Sequence, residues 1–124
     1  MFSYNPDHAP DSDAWNALDE AEQILAVITY HEHEGIPLPN LNVHAVIHVA
    51  VENQLLMGDK MNTAKTLERL MADGLDRHDA IHAIGTVISS HLYGMMKGDS
   101  TGFSHSEFGA DLDALTVEKW KKMG

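Results

Sequence analysis

Apolar residues recur at three- and four-residue steps through most of this chain, and nowhere do they alternate over the length of a strand. Trp15, Leu18, Leu25 and Ile28 fall on such a spacing and predict a first helix from near Asp13, capped by Asp11 or Ser12, that ends around His33–Gly35. Gly35-Ile36-Pro37-Leu38-Pro39-Asn40 then breaks the chain, because two prolines cannot continue a helix. Asn40 or Asn42 opens a second helix that runs to about Met57 and stops at Gly58-Asp59. A third occupies Asn62 to Ala72, with Gly74 just past its end. Asp76 caps a fourth, Asp79 three positions on approximates a capping box, and the helix continues to Met95 or Met96. Residues 99–107 read as a loop and Asp111–Lys122 as a last helix. The expected fold is all-α: a compact antiparallel bundle of four to five helices, in one domain over residues 1–124.

The second segment departs from ordinary amphipathicity. Val43, Ala45, Val46, Ile47, Val49, Ala50, Val51, Leu55 and Leu56 leave little of it without apolar cover, which predicts a helix buried at the centre. Among its few polar residues, His48 and Glu52 lie about 40° and about 80° round from His44, each one turn above the last. Two imidazoles and a carboxylate on one buried stripe cost several kcal/mol unless something satisfies them. A hydrogen-bonded core network is the plain explanation, with Glu52 holding His48 and a neighbouring tyrosine.

The fourth segment offers a partner. Arg77-His78-Asp79-Ala80-Ile81-His82 contains H-D-x-x-H, and histidines at i and i+4 present both rings from one helical face, the spacing that lets both bind one ion. Ile81, Ile84, Ile88, Leu92 and Met95 form its core stripe, with His78 and His82 on the adjoining one and Gly85 leaving room for a close approach. Packed together, the two segments bring His44, His48, His78 and His82 to one place, with Glu52 and Asp79 beside them. Neutral imidazoles bind zinc, nickel or iron, and carboxylates orient ligands or take protons from bound water.

Composition narrows the field. The chain has 124 residues, nine of them histidine and none cysteine, so disulfides, thiol nucleophiles and thiolate metal sites are excluded. A net charge of −11 disfavours nucleic acid and anionic membrane as partners. No Lys or Arg precedes Lys60; no signal segment or membrane-length apolar run is visible, so a soluble cytoplasmic protein is the expectation.

The run Asn40-x-x-x-His44-x-x-x-His48-x-x-x-Glu52-x-Gln54, then Leu67-Glu68-Arg69-Leu70 and Arg77-His78-Asp79-x-x-His82-Ala83-Ile84, resembles an uncharacterised bacterial family of small helical proteins, a domain of unknown function. The resemblance covers about residues 40–96. It implies that the histidines act as a set, and it brings no established activity. That family often has H-E-x-x-H where Asp79, one methylene shorter, stands here. H-D-x-x-H is also similar to the zinc metallopeptidase motif, but no downstream third ligand and no strand to hold a substrate accompany it. Bundles of the DinB type, with one histidine on one helix and H-x-x-x-H on another, are a closer analogy at the level of fold.

The leading expectation is therefore a transition-metal-binding bundle, zinc first and nickel or iron after it. His44, His48, His78 and His82 would be ligands, Glu52 a ligand or supporting carboxylate, and Asp79 a base or orienter in metal-assisted hydrolysis of an unknown small molecule. The competing expectation is a non-catalytic interaction module or homodimer with a hydrogen-bonded histidine core. Of the remaining histidines, His31 and His33 are expected partly exposed near a helix end, with His31 a lesser candidate for the site. His91 should point away from it. Met57, Met61, Met71, Met95 and Met96 are expected to fill core gaps, or to form a self-association face where exposed.

Overall fold

The computed structural model describes residues 2–36, 38, 40–58, 62–98 and 105–123. They form α1 (Ser12–Asn16), α2 (Glu20–His33), α3 (Leu41–Leu56), α4 (Thr63–Ala72), α5 (Arg77–Met96), α6 (His105–Ala114) and α7 (Val117–Met123), with no strand among the described residues. The all-α expectation holds.

The single first helix does not. Asp19 accepts from the Glu22 amide while the Glu22 side chain reaches back to the Asp19 amide, a complete capping box that starts α2 afresh and leaves α1 as a short piece capped by Asp11. Likewise the last segment is two helices: the Thr116 hydroxyl accepts from the Lys119 amide and opens α7 separately. The loop expected over 99–107 is overturned from residue 105 onward, where α6 begins; residues 99–104 lie outside the described residues. Asn40 and Asp76 cap α3 and α5 as their sequence positions predict.

Two apolar clusters sit on either side of α3. Tyr4, Trp15, Val27, Ala45 and Val49 make one, towards α1 and α2. Val51, Leu70, Ile81, Ile84, Ile88, Phe108 and Leu112 belong to the other, towards α4, α5 and α6. Ala45 and Val49 lie about 100° and about 140° round from His44 and Val51 about 20° the opposite way, so the His44–His48–Glu52 stripe runs between the two flanks. The helix is not buried all round as expected: Val43 and Val46, on the face turned from both clusters, are 54% and 43% exposed.

Helix α5 packs antiparallel to α3, with Arg77 opposite Glu52 and His82 opposite His44. Gly85 allows this spacing, since a Cβ there would sit 2.7 Å from Ile47 Cγ2. The α5 core stripe is buried at Ile81, Ile84 and Ile88 but emerges at Leu92, 39% exposed. Nor do the methionines fill the core: Met57, Met71 and Met96 are exposed, while Met61 lies outside the described residues. No described helix is long and apolar enough to cross a membrane.

A candidate histidine metal centre

Three helices contribute to one cluster. His44 and His48 come from α3, His78 and His82 from the first turns of α5, and His31 from the end of α2. One ring nitrogen from each lies within 4.8 Å of all the others. Neighbouring rings meet edge-on or tilted, at centroid separations such as 4.2 Å for His78–His82 and 4.7 Å for His44–His82. The four expected ligands are together, and His31, expected partly exposed, is fully buried and completes a set of five. His33 is exposed beside Glu34, and His91 bonds Asp111 away from the cluster.

Proton arithmetic shows what these rings can and cannot satisfy. The one proton of the Tyr4 hydroxyl goes to Glu52 Oε2 at 2.5 Å, so the contact between Tyr4 Oη and His48 Nδ1, 3.1 Å, is a bond donated by His48. Nε2 of His48 therefore carries a lone pair. Nδ1–H of His31 donates to the Val27 carbonyl at 2.9 Å, which likewise bares its Nε2. His82 Nε2 stands 3.1 Å from both His48 Nε2 and His44 Nε2, and a neutral ring has at most one proton to share between them. Nε2 of His31 and of His78 are buried with no hydrogen-bond partner at all among the described residues. Each such orphan costs about 1–3 kcal/mol.

Protonating the rings does not relieve this. Burial pushes His44 down to about 4 and His82 to about 3, with the positive charge of neighbouring histidines adding to the effect. His48 and His78 are lowered for the same two reasons, although Asp7, Asp76 and Asp79 partly offset the shift at His78. At neutral pH these rings are uncharged, with lone pairs turned towards one another.

A cation would resolve the conflict. Two nitrogens on a tetrahedral zinc with bonds of about 2.0–2.1 Å are about 3.4 Å apart, and cis ligands of an octahedral ion about 3.0 Å. The 3.1 Å contacts among His44, His48 and His82 fall between these values. Opposite ligands of one ion are about 4.2 Å apart, so the full set of five closes on a single ion after a contraction of about half an ångström. The far nitrogens of His48 and His31 are already held by a hydroxyl and a carbonyl, as ligating imidazoles require.

The two carboxylates stand outside this donor set. Glu52, 1% exposed, spends both oxygens on Arg77, at 2.7 and 3.0 Å, and on Tyr4. Burial alone would lower the Arg77 guanidinium, but the hydrogen bonds and charge of Glu52 outweigh it and hold it above its ordinary value. Burial, then the charge of Glu52, raises Tyr4 and keeps its phenol protonated. Asp79 is half-buried beside His78, and its carboxyl is raised by burial and by Asp76.

Comparison with protein-family models, with curated proteins and with solved structures returns no match, so the reading of this site rests on its own geometry.

Proposed function

We propose that this protein is a transition-metal-binding helical bundle whose ion is held by imidazoles alone, drawn from His31, His44, His48, His78 and His82. The observation that carries the reading is the convergence of five ring nitrogens within 4.8 Å, with the Nε2 atoms of His31 and His78 buried and unpartnered. Four imidazoles satisfy tetrahedral zinc, and a fifth suits nickel or iron, which accept more nitrogen ligands. With no anionic donor in the set, the ion would keep its full charge and act as a strong Lewis acid. Hydrolysis follows only where a coordination position stays open to water. Asp79, half-buried and next in sequence to His78, is then the residue to accept the proton.

The test is metal content of the full chain purified without chelator, measured by mass spectrometry beside His48→Ala and Met57→Ala. About one equivalent of transition metal in the wild type and in Met57→Ala, and clearly less in His48→Ala, is expected. No uptake by the wild type after incubation with zinc, nickel or iron would replace the proposal with a structural histidine core.

A further inference from the structure

A ligating imidazole keeps its orientation only if the nitrogen remote from the ion is held. For His31 the holder is backbone of its own helix. For His48 it is Tyr4, forty-four residues away in the N-terminal segment and joined to α3 by its side-chain bonds to His48 and Glu52. The Tyr4 ring is 4% exposed and lies against Trp15, Tyr30 and His48 at centroid distances of 5.7, 6.2 and 6.0 Å. The segment is tied a second time by Arg77, the residue next to His78. Its Nη1 donates to the carbonyls of Pro6 at 2.8 Å and His8 at 3.3 Å, while the guanidinium grips Glu52.

We infer that Tyr4 is the positioning residue for His48, and that through it the N-terminal segment is a wall of the metal site, docked more firmly when the ion is bound. This rests on the metal-centre reading above. An ion on His48 Nε2 draws electron density from the ring and makes Nδ1–H a stronger donor to Tyr4, whose own proton is already committed to Glu52. The chain His48–Tyr4–Glu52–Arg77 then passes the charge of the ion to the group that clasps the Pro6 and His8 carbonyls. Without the hydroxyl, His48 Nδ1–H is buried with no acceptor, and its ring loses the constraint that aims Nε2 at the ion.

Full-length wild type and Tyr4→Phe, loaded with Zn²⁺, are mixed with excess chelator and zinc release is followed; Co²⁺-loaded samples report the ligand field by visible absorption. Tyr4→Phe is expected to release zinc about 10–100 times faster and to show altered Co²⁺ bands. Tyr93→Phe, which changes an exposed ring on α5, should follow the wild type. Release at the wild-type rate with an unchanged Co²⁺ spectrum in Tyr4→Phe would overturn the role of Tyr4 and leave the metal site standing. A wild-type chain that takes up neither ion overturns the reading underneath it. Should Tyr4→Phe not fold, hydrogen exchange in the wild type decides: the Asp7 and His8 amides must exchange more slowly with Zn²⁺ than without it, and equal rates refute the coupling.

Discussion

Lowering the pH of the metal-free protein from 7 to 5 should destabilise it by an amount the buried rings set. His48 and His82 are both held below their ordinary range, His82 at about 3, so neither takes up a proton in the folded state at pH 5. In the unfolded chain each titrates near 6.5 and is almost fully protonated at pH 5. The folded pKa lies below the unfolded one and the charged form is the protonated one. The unfolded state therefore binds more protons, and stability is lost as pH falls below about 6.5. The loss is about 2 kcal/mol per ring at pH 5, about 4 kcal/mol for the two. His44, nearer solvent, adds a smaller share once screening is allowed for.

Urea unfolding of the full chain, stripped of metal, measures the effect. With a slope of about 1.5 kcal/mol/M, the midpoint should fall by roughly 2.5 M between pH 7 and pH 5. Zinc-loaded protein should hold its midpoint until protons displace the ion. A metal-free midpoint that stays put or rises on acidification would falsify the claim that these rings are buried and uncharged.

Other perturbations probe separate links. Zinc at a hundred times its Kd should stabilise the native state by about 2.7 kcal/mol, raising the melting temperature by roughly 10 °C for a chain of this size; equal melting curves with and without zinc would contradict a native-state site. Arg77→Met leaves the Glu52 charge buried without its partner and should cost about 3–5 kcal/mol in urea unfolding, whereas a near-neutral result would mean that water reaches Glu52. Gly85→Ala puts a methyl 2.7 Å from Ile47 Cγ2 and should cost about 1–3 kcal/mol and loosen zinc binding by spreading α3 from α5. Ile47→Ala in the same chain should restore part of the zinc affinity, and a double mutant no better than Gly85→Ala would place the strain elsewhere.

Much of this site was legible from periodicity. The stripe His44–His48–Glu52 and the pair His78–His82 follow from helical geometry alone, and the antiparallel packing of α3 on α5 brings them together. His31 is only a lesser candidate in the sequence, because its place near a helix end suggests partial exposure and because Trp15 and Leu18, in the separate piece before the Asp19 capping box, do not mark the buried face of its helix. Counted within α2, the buried face is Gln23–Val27–His31 and Leu25 is 61% exposed, so His31 sits on a core stripe in plain view once the helix start is right. The partners of Glu52 were half legible. A neighbouring tyrosine is expected, but no spacing marks Arg77 as its companion, and Tyr4 comes from a segment with no periodicity to read. Which apolar faces stay exposed, as at Val43, Val46 and Met96, depends on how many neighbours a helix acquires, which local spacing does not encode.

The interaction-module reading and the metal reading differ in what each asks of the histidines. A core network kept for stability would finish each ring N–H on an acceptor and each lone pair on a donor, as Glu52 does with Arg77 and Tyr4 about one turn from His48. That network shows the fold can satisfy buried polar groups here. The histidines beside it are arranged differently: the outer nitrogens of His31 and His48 are bonded, while the inner Nε2 of His31 and the Nε2 of His78 have no hydrogen-bond partner among the described residues. Lone pairs gathered in this group oppose folding wherever no proton lies between them. On the proposed metal reading the arrangement would become favourable on binding one cation, whereas the exposed methionines and valines, whatever they meet, do not account for the unpartnered nitrogens at the centre.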